Sequence, residues 1–212
     1  MKKASLIMQS AYEKEIAAMD KLAVQKFFDA CAPDWDAGMV RSDAVIARIF
    51  DGARIRAGCT VLDVACGTGV LFSDYLARGV KRVTAIDLSP EMVKIAAQKA
   101  AGKPIEVICG DAEEYDFAAQ FDCVMVYNAF PHFPDPARAV SALARLVAAG
   151  GTLTVAHGMS FEKLRAHHAG RAAAVSVDLP DCEALAALFE PYFDVTVKCS
   201  DDVMYQVTGR KK

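Results

Sequence analysis

Three aspartates, Asp63, Asp87 and Asp111, stand at nearly equal spacing, each at or near the end of a short apolar run. Gly67 and Gly69 lie in the loop after the first of these runs. Glycine tolerates positive φ and presents no Cβ to a ligand laid along the backbone. Asp87 follows Gly67 at the tip of the second run, where a carboxylate accepts both hydroxyls of a ribose. Asp111, at the tip of the third, is placed to accept from an adenine amino group. Together these residues describe a slot shaped for adenosine.

Two nucleotide readings fail on single residues. A dinucleotide fingerprint needs a third glycine where this chain has Phe72, and that bulk keeps helix and strand too far apart for a pyrophosphate seat. No Gly-Lys-Ser/Thr follows the glycines, which excludes a phosphate-cradling P-loop. Asp63 lies just before the glycines. It would repel a phosphate but suits the cationic amino end of a methionine group. The slot therefore fits S-adenosylmethionine, with S-adenosylhomocysteine as its spent form.

The four histidines, His132, His157, His167 and His168, all fall within residues 132–168. His132 and His157 follow the fourth and fifth apolar runs. His167 and His168 sit on a short predicted helix over 161–169, in a segment expected to close an acceptor pocket. Imidazole titrates near neutrality, so His132, His157 and His168 are candidate bases for a hydroxyl, thiol or amine. The same cluster could instead hold a transition metal, although its spacing matches no known ligand motif.

Certain elements must position these groups. Residues 4–53 are rich in helix formers and broken at Pro33. Strands are predicted over 60–65, 82–86, 105–109, 123–127 and 152–156, alternating with helices. One helix opens at Asp135-Pro136 and ends at Gly150-Gly151, and a last one opens at Asp181. Runs at 194–198 and 203–208 are joined by a short turn and should pair antiparallel. The expected fold is α/β: a Rossmann-like, seven-stranded, mostly parallel sheet with helices on both faces, its last two strands a hairpin. Residues 1–50 form an N-terminal helical lid, and 51–212 one compact ligand-binding unit. Ligands belong at the carboxyl ends of such strands, near the switch in strand order.

Composition narrows the partners. The 212 residues are 54% apolar and 24% charged with a net charge of −3, a globular profile without a basic field for nucleic acid or membrane. The lysines and arginines at the two ends read as solvated tails. No apolar run is long enough to span a bilayer, and none resembles a secretory signal. The seven cysteines include no C-x-x-C pair. They point to a cytoplasmic protein with reduced thiols, a monomer or homodimer.

The string VLDVACGTG at 61–69 resembles motif I of the class I S-adenosylmethionine-dependent methyltransferases. IDLSPEM at 86–92 resembles the acidic-loop motif that follows, and CGDAE at 109–113 the adenine-binding one. FDCVMVYN at 121–128 and residues 146–155 resemble the fourth-strand and fifth-strand motifs. FFDACAPDWD at 27–36 is similar to the entry segment of the ubiquinone/menaquinone-biosynthesis type. The resemblance implies Asp63 and Gly67 at the methionine end and Asp87 at the ribose, with Ala65, Cys66 and Gly69 also binding the cofactor. It implies Leu88 and Met92 flanking the adenine, Asp111 and Ala112 at its edge, and Asn128 near the sulfonium, all beneath the 27–36 lid.

The implied activity is methyl transfer to a small molecule. The nucleic-acid amino methylases of this fold carry a Pro-Pro-aromatic motif where this chain reads Asn128-Ala-Phe-Pro131, which argues against a base amine as acceptor. Two other classes stay open: a non-catalytic S-adenosylmethionine-binding or regulatory protein of the same fold, and a metal-assisted transferase using the histidines. Trp35 lines the pocket or packs the lid; Glu113 and Tyr115 are expected to face solvent.

Overall fold

The alternating runs become seven strands in one sheet. A computed structural model describes residues 21–168 and 173–212. Strands β1 (Thr60–Val64), β2 (Arg82–Asp87), β3 (Ile105–Cys109), β4 (Phe121–Tyr127) and β5 (Val147–His157) run parallel. Strands β6 (Phe193–Ser200) and β7 (Tyr205–Lys211) pair with each other antiparallel, and β7 also pairs antiparallel with β5. The order across the sheet is β3-β2-β1-β4-β5-β7-β6. Strand order reverses at β1 and β4, where this architecture opens its ligand crevice.

The helices are α1 (Lys21–Cys31), α2 (Asp43–Gly52), α3 (Phe72–Ala77), α4 (Pro90–Ala100), α5 (Pro136–Ala144), α6 (Phe161–His168) and α7 (Cys182–Phe189). Alternation along each strand sends side chains to two separate cores. On one face Val61, Val83 and Met125 pack with Ile46 and Phe50 of α2, Tyr75 of α3 and Ala96 of α4. On the other, Leu62, Val124 and Val126 meet Leu143 of α5 and Leu185 and Phe189 of α7. Burying each large aliphatic or aromatic side chain contributes about 1.5–3 kcal/mol. Among the described residues no helix is long and apolar enough to cross a membrane.

Local chemistry sets the helix starts. Ser42, Ser89, Asp135 and Asp181 each accept from the backbone N–H three residues on, at 3.4, 3.1, 3.0 and 2.8 Å. Such a cap stabilises a helix by about 1 kcal/mol. Pro90 and Pro136 occupy first-turn positions where their missing N–H costs nothing.

The Gly150-Gly151 pair does not stop α5 as its sequence suggests. The helix ends at Ala144, and both glycines lie inside β5. Beside them the β4–β5 register shifts between Phe121 and Cys123. A Cβ on Gly151 would come within 2.7 Å of the Asp122 carbonyl oxygen, so this glycine serves a strand irregularity. Strand β7 likewise starts later than expected. The Asp201 carboxylate accepts from the Val203 and Met204 N–H groups at 3.0 and 2.9 Å and holds both residues in the turn.

Candidate active site

The carboxyl ends of the two central strands carry two non-glycine residues at positive φ, Ala65 (54°) and Asn128 (55°). Such backbone costs on the order of 1–3 kcal/mol and persists only where surrounding bonds enforce it. Here the Cys66 N–H donates to the Ile86 carbonyl at 3.1 Å and the Asn128 N–H to the Ala156 carbonyl at 2.9 Å. The Asn128 side chain also accepts from the Gly158 N–H at 2.9 Å. Both strand ends therefore open into a crevice of fixed shape.

Gly67, at φ 55°, lies on that crevice, and a Cβ there would meet nothing closer than the Trp35 indole nitrogen at 3.9 Å. Its N–H donates to Asp87 at 2.7 Å, and the Ser89 N–H donates to the other Asp87 oxygen at 2.9 Å. Burial pushes the Asp87 carboxyl above the usual carboxylate range, and those two backbone donors hold it partly back. The carboxylate is fixed in orientation and keeps lone pairs for further donors. Leu88 and Met92 stand beside it along the same cavity, and Ala112 lies near Asp111 on that wall.

Asp111 and Glu113 converge on one cation. The Lys21 ammonium is hydrogen-bonded to Asp111 and lies 2.8 Å from Glu113. Glu113 is not the solvent-facing residue its position suggests. It is 9% exposed and also accepts from Arg138 at 3.0 Å, tying α5 to the loop after β3. Tyr115 is exposed as expected. No sequence periodicity marks Lys21 as a neighbour of Asp111, since ninety residues separate them.

The segment carrying FFDACAPDWD lies over the crevice. Asp29 accepts from the Ser89 hydroxyl at 2.5 Å, and Asp36 accepts from Thr68 at 2.6 Å and pairs with Lys99 at 2.6 Å. Phe28 and Trp35 form part of the cavity wall, their rings 5.6 Å apart. Of the expected lid, residues 1–20 lie outside the described residues. Arg41, which sequence reasoning missed, closes the rim near Tyr127. Its guanidinium donates to Asp74 at 2.8 Å, to Asp43 at 3.0 Å and to the Val70 carbonyl at 2.9 Å. Its only sequence signal is its place just before the Ser42 cap.

Of the two histidines whose side chains are among the described residues, His132 and His157, His132 is brought to the cavity. Phe28 packs edge-on to its ring at 4.8 Å, and its Nδ1 lies 2.8 Å from the Val175 carbonyl oxygen. A carbonyl only accepts, so Nδ1 carries the proton and the neutral ring's basic lone pair sits on Nε2. His157 is instead wholly buried where β5 pairs with β7, its ring 5.9 Å from Tyr205. The sheet continues through it and keeps it off the cavity wall. His168 ends α6, and its side chain lies outside the described residues. Among the described residues no group of three or more His, Cys, Asp or Glu is arranged to hold a metal.

Asp63, Cys66 and Gly69 sit behind the cavity wall, not on it. Asp63 is 2% exposed, and its Oδ2 has no hydrogen-bond partner among the described residues. Burial lifts its carboxyl to about 7; the Tyr75 hydroxyl lowers it and the Asp87 charge raises it. Cys66 is buried, and its thiol is pushed well up, mainly by that burial. Gly69, at φ 82°, faces the Phe72 ring, which would lie 2.5 Å from a Cβ there. Phe72 thus fills the space that a third fingerprint glycine would leave open.

Sheet order, glycine loop and acid-tipped strands define a Rossmann-like domain. Residues 62–155 match the family model described as methyltransferase domain. A ubiquinone biosynthesis O-methyltransferase from Xanthomonas campestris pv. campestris (strain B100) is 41% identical over 119 residues, 54% of this chain and 47% of that protein. The chain thus spans about half the length of the curated relatives it matches. In fold it is similar to the magnesium protoporphyrin IX methyltransferase from Synechocystis with bound SAH, at TM-score 0.70 and 18% identity over 91% of this chain and 100% of that one. It is also similar to a chain from the complex of the Haloferax volcanii Trm112 methyltransferase activator, at TM-score 0.72 and 22% identity over 87% and 97%. By this match residues 62–155 are similar to a methyltransferase domain, and the chain shares its fold with solved methyltransferases.

Proposed function

We propose that this protein binds S-adenosylmethionine along the β1–β3 ends and transfers its methyl group to a small-molecule acceptor held beneath residues 21–41. The observation that carries this is one cavity shared by Gly67, Asp87, Met92, Asp111 and His132. The residues suit the cofactor. Asp87, fixed by two N–H donors, would take the ribose hydroxyls, and Gly67 leaves its backbone open to the methionine end. Leu88 and Met92 would enclose the adenine, and Asp111 and Ala112 would edge it. Arg41, a fixed cation on the rim, supports a carboxylate at that end. Asp63 acts from behind the wall, through the charge it adds beneath the glycine loop.

When bound, S-adenosylmethionine supplies an electrophilic methyl group, so this chain's own contribution is alignment, exclusion of water and proton handling. Phe28, Trp35 and Phe133 provide an apolar wall for the acceptor. Nε2 of His132 takes the proton from the acceptor's nucleophilic atom, while the Val175 carbonyl holds the Nδ1–H and keeps the ring in that tautomer. The relatives, named ubiquinone biosynthesis O-methyltransferases, support an O-methyl acceptor, and the apolar wall with one base is compatible with a hydroxyl carried on a largely apolar molecule.

Isothermal calorimetry with S-adenosylmethionine, S-adenosylhomocysteine and NAD, followed by turnover on a panel of small hydroxyl, thiol and amine acceptors, tests the proposal. Binding of the first two ligands and acceptor-dependent S-adenosylhomocysteine formation are expected. Binding without turnover on any acceptor would favour a regulatory protein of the same fold, and NAD binding would end the assignment.

A further inference from the structure

At the amino ends of the strands, opposite the cavity, Asp122 clamps the start of β1. Its carboxylate accepts from both the N–H and the hydroxyl of Thr60, at 2.8 and 2.9 Å, and its N–H donates back to the Thr60 hydroxyl at 3.1 Å. The residues flanking that clamp are Cys59 and Cys123. Val61 is the register partner of Cys123, so two-residue alternation puts Cys59 on the same sheet face. Both thiols belong to the same buried cluster, 7% and 4% exposed. The Cys123 sulfur also touches the carbonyl oxygens of Ala53 and Arg54, at 3.7 and 3.8 Å, in the loop that leads to Cys59. Both cysteines are free.

We propose that Cys59 and Cys123 are a redox modification site, a dithiol that closes reversibly to a disulfide when the protein meets a hydroperoxide. The neighbouring Cys123 thiol holds the Cys59 thiol below the ordinary cysteine range, and Arg56 contributes in the same direction. Interaction with Cys59, then burial, pushes the Cys123 thiol up, so of the two thiols Cys59 is the better nucleophile. The Cys59 thiolate attacks the peroxide's outer oxygen, giving a sulfenic acid and releasing the other oxygen as water or alcohol once protonated. The Cys123 sulfur then attacks the Cys59 sulfur, the S–O bond breaks and the hydroxyl leaves as a second water. Two thiols lose two electrons and two protons, and the peroxide gains them. Arg56, Ala57 and Gly58, all exposed, give an oxidant its approach to the Cys59 end.

The test is a thiol map of the full chain after hydrogen peroxide, made by alkylation with iodoacetamide, digestion and mass spectrometry. The expected product joins the peptides containing Cys59 and Cys123 with loss of two hydrogen atoms, and a phosphine reductant restores both alkylation sites. In a Cys123→Ser variant the cross-link is lost, and Cys59 is trapped by dimedone as sulfenic acid. Oxidation that instead joins Cys182 to Cys199, or leaves Cys59 and Cys123 as reactive toward iodoacetamide as before peroxide, overturns the proposal. The wild-type map decides the question even if the serine variant does not fold. The readout needs no methyl transfer, so it stands or falls independently of the proposed activity.

Discussion

The two halves of the cavity are built by different means. The β1–β3 side is made of backbone and short-range side chains: Gly67, Asp87, Ser89 and Met92 lie within twenty-six residues and fix one another. The opposite side is assembled from distant pieces. Phe28 comes from α1, Arg41 from the rim, and His132 from the turn after β4, braced by Val175. A site shaped by backbone suits a ligand presented the same way each time. A site shaped by side chains on separate segments can change its occupant without disturbing the sheet. On this comparison we propose that the first half serves the methyl donor and the second sets the acceptor.

Substitutions should therefore separate the halves. His132→Ala is expected to lower turnover by about 10²–10⁴-fold, while calorimetric affinity for S-adenosylhomocysteine stays within a factor of a few. His157→Ala should cost stability and spare the chemical step once folded, because that ring packs the sheet. If His157→Ala lost turnover and His132→Ala did not, the assignment of the base would be reversed.

Asp63 provides the next effect, read as stability. Its carboxyl is raised to about 7 in the folded protein from an ordinary 3.8. The folded state therefore binds the extra proton between those values, and stability falls as pH rises through the window. The contribution is on the order of 4 kcal/mol. Urea midpoints for Asp63→Asn should show a flatter decline from pH 4 to pH 7 than the wild type; parallel curves would remove Asp63 from this role. A positively charged ligand group nearby would favour its ionised form, so donor binding near neutral pH should release protons, detectable as a buffer-dependent calorimetric heat.

Asp87→Ala should weaken donor binding by about 1–3 kcal/mol through loss of hydrogen bonds to a charged group. It should change the acceptor KM far less. Equal loss on both would mean that the halves are not independent.

The smallest effect belongs to Lys21, which holds the charge pair where an adenine amino group is expected. The ammonium is partly exposed, so Lys21→Ala should change donor affinity by about two- to five-fold and reduce its salt dependence. Tighter binding would mean that Lys21 competes with adenine for Asp111, and weaker binding that it clamps the adenine from above. Affinity and salt slope both unchanged would show that the pair plays no part in binding.

The sequence alone determined the parts governed by near neighbours. Glycines after a strand, an acid at the next strand's tip and a Ser-Pro helix start act over a few residues, so spacing suffices to read the sheet and the donor cradle. The histidine cluster was legible only as a cluster. Which member reaches the cavity depends on where β5 stops, and strand pairing with β7 carries β5 through His157 while His132 falls on the turn that opens the crevice. Glu113 passed for a surface residue because its partners, Lys21 and Arg138, come from α1 and α5. Arg41 had no pattern because its bonds reach α3, and the neighbouring thiols of Cys59 and Cys123 depend on β1 lying beside β4. Sixty-two residues separate Thr60 from Asp122, and no local propensity spans that distance. Only burial of both sheet faces brings such pairs together, because the free energy that aligns the strands comes from the whole core and not from the residues being joined.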